Sequence, residues 1–223
     1  FEMFRGQAAN YLKYVIAEIV EEKKILYVDG DTLFKKCPSE IFNTDLGGNY
    51  VGGVCDYSHK PSQKKGWPTK VQFTSKEEIY INSGMLLLNS QLIRKMDIVK
   101  EATEVSEKLG PDKVFADQDV INKLFEGRKK IIGPEFNFQI FNGEIKIDLW
   151  KKISMSNFLS IVLIHFIGWC KPWMKSCNPL IVSCYLTYGR KLKTMHLDLV
   201  NIENLRHRIQ YAKMLDFCER YEE

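Results

Sequence analysis

Hydrophobic positions along this chain fall into short continuous runs and into longer stretches at helical spacing. Apolar side chains recur every three or four positions over residues 8–22, which predicts an amphipathic helix. Residues 25–28 are apolar without a break, as in a strand that an α/β sheet buries on both faces. Residues 80–88 and 160–165 have the same strand character. The pattern therefore predicts a sheet whose strands are joined by helices.

The segments between these strands predict the remaining elements. A helix is expected over residues 90–109, with Ser90 as its N-cap, and a second helix over residues 116–125. Residues 43–70 are rich in Gly, Asn, Lys and Pro and predict a long loop that contains one short strand. Residues 131–147 predict further strands separated by turns. Alternating strands and helices favour an α/β fold with a mixed sheet flanked by helices.

Length and composition are those of an ordinary globular protein. The 223 residues are 45% hydrophobic and 27% charged, and the formal net charge of +4 selects no partner by itself. No stretch approaches the roughly 18 apolar residues of a membrane span. The six cysteines include no C-x-x-C pair, which argues against a zinc ribbon and favours a reducing, cytoplasmic compartment. We expect residues 1–185 to form one domain and residues 186–223 to form a basic, helical C-terminal extension.

The first candidate for chemistry is a pair of carboxylates, Asp29 and Asp31, directly after the strand at residues 25–28. Alternate residues of an extended chain point to the same side, so both side chains can hold one hard cation such as Mg²⁺ or Mn²⁺. The intervening Gly30 allows the backbone to approach a ligand closely. In open α/β sheets, ligands bind at the ends of strands. A solvated turn is the alternative interpretation of so short a motif.

The second candidate is His165, at the end of its strand, with Gly168 and Lys171 shortly after it. A neutral imidazole can serve as a third metal ligand. The glycine N–H can face a phosphate oxygen, and the lysine supplies a point positive charge for a diphosphate. A histidine satisfied within the core is the alternative, but it leaves the spacing of the glycine and lysine unexplained.

Polar residues also lie at two other predicted elements. Asp117 and Gln118 stand at the start of the helix at residues 116–125, where acids are favoured by the helix N-terminus. The same two side chains could instead project into a pocket and bond sugar hydroxyls. Asn82 begins the strand at residues 80–88, either as a plain turn residue or as an amide that faces a sugar.

These four segments, in this order, resemble the family 8 glycosyltransferases. That family includes glycogenin, the bacterial lipopolysaccharide glucosyl- and galactosyltransferases, and the plant galacturonosyltransferases. The resemblance runs from about residue 9 to residue 173. The matching segments are Leu-Tyr-Val-Asp-Gly-Asp at 26–31, Asn-Ser-Gly-Met-Leu-Leu-Leu-Asn at 82–89, Asp-Gln-Asp-Val-Ile-Asn at 117–122 and His-x-x-Gly-x-x-Lys-Pro-Trp at 165–173.

The resemblance implies a GT-A type fold and transfer of a hexose, glucose or galactose, from a UDP-sugar with retention at the anomeric carbon. The implied acceptor is a glycan or glycolipid such as lipopolysaccharide, with no nucleic-acid partner. Mn²⁺, or alternatively Mg²⁺, would be held by Asp29, Asp31 and His165. Gly168 and Lys171 would hold the diphosphate.

The resemblance also implies a sugar pocket. Asp117 and Gln118 are its candidate catalytic residues, and Asp56 and Asn82 would contact the sugar as well. Lys13 stands where the family usually carries an arginine that reaches the donor, and lysine lacks the bidentate fork of arginine. Because Gln118 is a neutral amide and a poor nucleophile, a front-face path is favoured, in which the leaving phosphate oxygen accepts the acceptor's proton. Family members carry a nucleotide-binding portion ahead of the first helix, and the chain is expected to lack it.

Other functions remain open at this point. Residues 28–33 also resemble the nucleophile motif of haloacid-dehalogenase phosphatases, although Thr32 follows the second aspartate directly instead of two residues later. That class predicts a phosphoenzyme at Asp29. A non-catalytic nucleotide-sugar-binding domain would bind its ligand without turnover. The basic extension, residues 186–223, is either a solvated helix or a peripheral contact with the inner face of an anionic membrane that carries a lipid-linked acceptor.

Overall fold

A computed structural model describes residues 12–57, 71–112, 115–141, 160–168, 171–173 and 185–186. The described helices are α1 (Leu12–Ile19), α2 (Ser39–Phe42), α3 (Ser90–Ile93), α4 (Ile98–Leu109) and α5 (Ala116–Leu124). The described strands are β1 (Lys24–Val28), β2 (Thr32–Phe34), β3 (Val51–Cys55), β4 (Ile81–Asn89), β5 (Lys129–Ile132), β6 (Phe138–Phe141) and β7 (Leu163–Ile167). None of the described helices has the length and hydrophobicity that crossing a membrane requires.

Two sheets form the frame of the domain. In the first, the strand order is β1-β4-β3-β5, with β4 antiparallel to both of its neighbours and β5 parallel to β3. In the second, the order is β2-β7-β6, with β7 antiparallel to β2 and parallel to β6. The mixed strand directions and the flanking helices confirm the predicted α/β architecture.

The strand β4 is the centre of the hydrophobic core. Its side chains alternate between two apolar clusters, as the two faces of a strand require. Leu86 and Leu88 pack in the cluster that contains Val120 of α5, whereas Met85 packs in the cluster that contains Leu163 of β7. Burying one such side chain stabilises the fold by about 1.5–3 kcal/mol. The continuous apolar run in this strand therefore joins the helices on one face to the second sheet on the other.

The strand β1 is less buried than its apolar sequence predicts. All five residues of Lys24–Val28 are partly exposed, so the expectation of burial on both faces is wrong for this strand. In the part of the chain that the structure describes, β1 lies at the edge of the first sheet and pairs with β4 alone. Its register sets Val28 opposite Met85, which fixes where the chain leaves the sheet.

The single helix predicted over residues 90–109 is two helices in the structure. The first, α3, is one turn long, and α4 is a separate helix that begins after Asp97. The Asp97 carboxylate accepts a hydrogen bond of 3.1 Å from the N–H of Lys100, which caps the new helix. Periodicity alone could not show this break, because the apolar spacing continues across it.

The predicted N-cap at Ser90 is also wrong. The Asn89 side chain caps α3 instead, since its amide oxygen accepts a hydrogen bond of 3.3 Å from the N–H of Leu92. Ser90 lies inside α3, fully buried, and its hydroxyl has no hydrogen-bond partner among the described residues. A buried hydroxyl without a partner is a cost to stability, not a contribution.

Several boundaries differ from the sequence prediction. The strand expected at residues 160–165 spans Leu163–Ile167, and the three-residue strand β2 and the short helix α2 were not predicted. The β structure expected from residue 131 onward comprises β5 and β6 within the described residues, and residues 142–147 lie outside them. Of the extension at residues 186–223, the structure describes Leu186 alone.

The corrected caps predict opposite effects of two alanine substitutions. Asp97→Ala removes the cap of α4 and should lower the free energy of unfolding by about 0.5–2 kcal/mol. Ser90→Ala removes a buried hydroxyl that makes no hydrogen bond, so stability should stay the same or rise. Urea denaturation of both variants measures the difference. A loss for Ser90→Ala as large as that for Asp97→Ala would contradict the assignment of the caps.

Candidate active site

The candidate site lies where the two sheets meet. After β1, the N–H of Asp29 donates a 2.8 Å hydrogen bond to the carbonyl of Gly84 in β4. The chain then enters β2, in which Thr32 lies opposite His165 of β7. The N–H of Phe166 donates to the carbonyl of Asp31 at 3.0 Å. The turn that carries both aspartates is therefore held between the sheets, next to the histidine.

Asp29, Asp31 and His165 form a cluster with the composition of a metal centre. One potential ligand atom from each residue lies within 4.8 Å of the others. The Nε2 atom of His165 is 3.3 Å from Oδ1 of Asp31 and 4.0 Å from Oδ2 of Asp29. The two aspartate side chains are 32% and 20% exposed, so a cation can reach them from solvent. Two carboxylates and one imidazole suit a hard or borderline divalent ion such as Mn²⁺. The residues present therefore fit the ion that the sequence implies.

Lys171 lies at the edge of this cluster. Its ammonium donates hydrogen bonds to Oδ2 of Asp31 and, at 2.6 Å, to the carbonyl of Phe166. Burial by itself raises the pKa of Asp31, but hydrogen bonds and charge from His165 and Lys171 hold that pKa well below its ordinary value. Asp31 is consequently a carboxylate at neutral pH. Gly168 follows β7 with φ of +92°, a conformation that favours glycine.

Gly84 leaves the space that the His165 ring fills. A Cβ atom at Gly84 would lie 2.0 Å from Cε1 of His165 and 2.8 Å from both ring nitrogens. Any side chain at this position would therefore displace the imidazole. A glycine within an apolar strand is a recognised sign of such close approach, so sequence reasoning could have assigned this role to Gly84.

Asp56, Asn82 and Gln118 are brought together as a buried polar group. Oδ2 of Asp56 accepts from Nε2 of Gln118 at 2.8 Å and from Nδ2 of Asn82 at 3.2 Å. The Gln118 oxygen accepts from Nδ2 of Asn82 at 3.1 Å and from the N–H of Ser83 at 2.9 Å. The three side chains are thus held in fixed orientations before any ligand binds.

Asp117 and Lys13 form a buried ion pair beside the metal cluster. The Lys13 ammonium is 2.7 Å from Oδ2 of Asp117 and 3.7 Å from Oδ1 of Asp29. Ser83 Oγ also donates to Asp117 at 3.0 Å. Burial raises the pKa of Asp117. The charge of Lys13 and the hydrogen bonds from Lys13 and Ser83 act against that rise. Lys13 therefore lies between the carboxylate of Asp29, after β1, and the carboxylate of Asp117, at the start of α5.

Asp119 has a structural role that its two neighbours do not share. Its carboxylate accepts from the N–H of Phe115 at 2.7 Å and from the hydroxyl of Tyr80 at 2.6 Å. These bonds hold the start of α5, where Ala116 has φ of +43°, an unfavourable conformation for a residue with a Cβ atom. Asp119 thus holds the start of α5, while the side chains of Asp117 and Gln118 contact Lys13 and Asp56 instead.

Sequence reasoning gave no role to Tyr27 and Asn137, two polar residues that contact the cluster. The hydroxyl of Tyr27 donates to Oδ1 of Asp29 at 2.7 Å, and the alternation of side chains along β1 already places positions 27 and 29 on one side. Burial, followed by the charge of Asp29, raises the pKa of Tyr27 well above its ordinary value, so the hydroxyl remains a donor. Oδ1 of Asn137 lies 3.2 Å from Nδ1 of His165, and no local pattern in the sequence predicts that contact.

Comparison with known proteins identifies the class. The sequence model of glycosyl transferase family 8 matches residues 5–177, and the chain belongs to this family. The chain is 30% identical to galactinol synthase 2 of Solanum lycopersicum, over 74% of this chain and 49% of that protein. It is 28% identical to the glycosyltransferase GlyB of Streptococcus pneumoniae serotype 4, over 74% of this chain and 38% of that protein. The family match does not favour the phosphatase interpretation of residues 28–33.

Solved structures agree on the fold. The galactosyltransferase LgtC, crystallised with donor and acceptor sugar analogues, superimposes with a TM-score of 0.70 at 24% identity. The match covers 87% of this chain and 71% of that one, which confirms the expected GT-A type fold. The chain spans about half the length of the first curated relatives that it matches, 52% and 49%.

The contact between Gly84 and the imidazole predicts the effect of adding one methyl group. Gly84→Ala should displace His165 and weaken Mn²⁺ binding, measured by isothermal titration calorimetry, by at least about tenfold. Gly53→Ala is the matched control, because its Cβ would meet the Ile81 side chain at 2.6 Å, away from the imidazole. That variant should lose about 1–3 kcal/mol of stability through overpacking and keep its Mn²⁺ affinity. Equal losses of Mn²⁺ affinity in both variants would argue against a specific role for Gly84.

Proposed function

We propose that this chain is the catalytic part of a retaining glycosyltransferase that transfers a hexose from a UDP-sugar to a glycan acceptor. The observation that carries the proposal is the cluster of Asp29, Asp31 and His165, with the Lys171 ammonium at its edge. The names of a galactinol synthase and a galactosyltransferase among its relatives and neighbours support galactose as the hexose, with glucose as the alternative. A glycolipid such as lipopolysaccharide remains the proposed acceptor.

The proposed metal is Mn²⁺, with Mg²⁺ as the alternative, held by Asp29, Asp31 and His165. When bound, such an ion supplies positive charge that stabilises the diphosphate as it leaves the sugar. Lys171 provides a second positive charge on the same side, and its ammonium must turn from Asp31 towards the phosphates to do so. Gly168, without a side chain, lets the backbone N–H approach a phosphate oxygen.

The proposed sugar pocket is formed by Asp56, Asn82, Asp117 and Gln118. Hydrogen bonds and an ion pair fix the orientation of these side chains before a ligand binds, which is the form of preorganisation that catalysis uses. Lys13 sets the position of Asp117 through their ion pair.

The contacts of Gln118 support a front-face reaction path. The amide oxygen already accepts two N–H donors, which withdraw electron density and make it a still weaker nucleophile. The bond from the anomeric carbon to the phosphate oxygen breaks through an oxocarbenium-like state. The departing phosphate oxygen then takes the proton of the acceptor hydroxyl as the new glycosidic bond forms, so the products are UDP and the extended glycan.

We also propose that residues 1–185 form the catalytic domain and that the basic extension at residues 186–223 contacts the inner face of an anionic membrane. The proposal rests on basic residues that stand beside Leu and Ile in a helical pattern, namely Arg190, Lys191, Lys193, Arg206 and Arg208. Binding to anionic vesicles should then weaken steeply as salt is added, and weak salt dependence would count against it.

The metal assignment predicts a large loss of turnover when one carboxylate is removed. When several UDP-sugars are tested with Mn²⁺ present, the native chain should slowly hydrolyse one of them and release UDP. EDTA should abolish this release. Asp31→Ala should reduce the rate by at least about 10²–10³-fold. Glu104→Gln, which neutralises an exposed carboxylate on α4, is the control and should turn over normally. Near-normal release by Asp31→Ala would show that the metal assignment is wrong.

The position of Lys171 predicts two effects of opposite sign. Lys171→Met removes the charge proposed to hold the diphosphate, and UDP affinity in the presence of Mn²⁺ should fall about 10–100-fold, as for a charge-assisted hydrogen bond. The same change frees Asp31 from a competing cation, so Mn²⁺ should bind more tightly when no nucleotide is present. Calorimetry measures both affinities, with the exposed Lys95→Met as control. An unchanged UDP affinity would remove Lys171 from the donor site.

A further inference from the structure

Two backbone N–H groups determine which way the amide side chains of the site point. The N–H of Ser83 donates to Gln118, and the N–H of Gly84 donates to Asn82 at 3.1 Å. A backbone N–H can only donate, so the atom that faces it must be the amide oxygen in each case. The NH₂ group of Asn82 then faces Asp56 and the oxygen of Gln118, and both of these are acceptors.

The hydrogen bonds between Asp56 and Asn82 continue through Asn137 to His165, and together they form a row that ends at the proposed metal site. The oxygen of Asn82 lies 2.9 Å from Asn137, so that atom of Asn137 must be the donor, Nδ2. The oxygen of Asn137 consequently faces Nδ1 of His165, at 3.2 Å. The reverse orientation of Asn137 would set two amide oxygens against each other at 2.9 Å. Asn137 is fully buried, so water does not relieve such a repulsion at low cost.

We propose that Asn137 is a positioning residue that holds the neutral imidazole of His165 with its proton on Nδ1, so that the lone pair of Nε2 faces the metal site. The proposal rests on the proposed metal site. In a neutral imidazole one nitrogen donates and the other accepts, and the Asn137 oxygen accepts only from a protonated Nδ1. The position of Asn137 therefore selects one of two tautomers.

The selection matters because Asp31 favours the opposite tautomer. Its Oδ1 lies 3.3 Å from Nε2 of His165 and would attract a proton to that nitrogen. A proton on Nε2 would block the atom that has to bind the cation, since a histidine ligand must offer a free lone pair. Asn137 acts against this pull from the other side of the ring. Hydrogen-bond partners of histidine ligands typically change metal affinity about 10–100-fold.

Asn137→Leu is the direct test, because leucine has similar bulk and cannot accept a hydrogen bond. Gln139→Leu is the matched control on the same segment. Gln139 is buried, donates to the carbonyl of Cys55 and accepts from the N–H of Tyr57, both at 2.9 Å. Gln139 lies opposite His165 in the β6–β7 pair, but its side-chain hydrogen bonds in the described part of the chain go to Tyr57 and Cys55. Its loss should therefore reduce stability in a similar way without removing a hydrogen bond to the imidazole.

The readout is the tautomer of the neutral form of the His165 imidazole in the metal-free protein. Long-range proton–nitrogen NMR correlations distinguish the two tautomers, and the chain has four histidines, so a His165→Gln variant suffices for assignment. We expect the proton on Nδ1 in the native chain and in Gln139→Leu. In Asn137→Leu we expect it to move towards Nε2, with Mn²⁺ affinity about 10–100-fold lower.

A native chain with the proton on Nε2 would overturn the proposal without any variant. So would Asn137→Leu with the native tautomer, or a loss of Mn²⁺ affinity in Gln139→Leu equal to that in Asn137→Leu. If the native tautomer is Nδ1–H and responds to Asn137→Leu while the native chain binds no Mn²⁺, the role of Asn137 stands and the proposed function fails.

Discussion

The site depends on the antiparallel pairing of β2 with β7. This pairing is only three residues long, yet it attaches the chain that leaves β1 of the first sheet to the second sheet, and it sets Thr32 opposite His165. Without it, the turn that carries the two aspartates would be attached to the first sheet alone. Its position relative to the histidine of the second sheet would not be fixed. Backbone hydrogen bonds are the means by which the fold brings side chains that are 134 or more positions apart in the sequence (165 − 31) to within 4.8 Å of each other. Such bonds position the three proposed metal ligands more rigidly than an unpaired loop could.

The interior next to the site is polar to an unusual degree for the middle of a sheet. Lys13, Asp56, Asn82 and Gln118 are all at most 7% exposed, and each has a named partner in the structure. Buried polar groups of this kind add little net stability, because desolvation offsets their attraction. They are tolerated because every member is satisfied, and they fix the orientation of each side chain. The apolar clusters on either side of β4 provide the stability that this polar region does not.

The sequence predicted those parts of the fold and site in which polar residues directly adjoin a local apolar run. The strand after which Asp29 and Asp31 lie, the strand that carries Asn82 and the helix that begins at Ala116 were all predicted from local runs. The three proposed metal ligands do come together, although sequence alone offered a solvated turn and a core histidine as alternatives. The short strand β2 was not predicted, because three residues carry no periodic signal and its partner is distant in sequence. The role of Asn137 was equally out of reach, since it depends on a chain of contacts among four segments.

The break between α3 and α4 shows a different limit. Apolar spacing continues through residues 94–97, so periodicity favours one helix, whereas a side-chain bond at Asp97 starts a second. Capping chemistry decided the outcome there, and Ser90, the more obvious cap in the sequence, is buried without a partner among the described residues.

The row of hydrogen bonds from Asp56 to His165 has a consequence for how this enzyme family member can change over evolution. The residues proposed to recognise the sugar and the residue proposed to hold the cation share one continuous set of donors and acceptors, in which reversing any amide would propagate to the next. A substitution at Asn82 that accommodated a different sugar would at the same time change the hydrogen bond that orients Asn137, and through Asn137 the contact to the imidazole. Donor choice and cation requirement would therefore be inherited as a single trait, and a new specificity would arise most readily from changes outside this row.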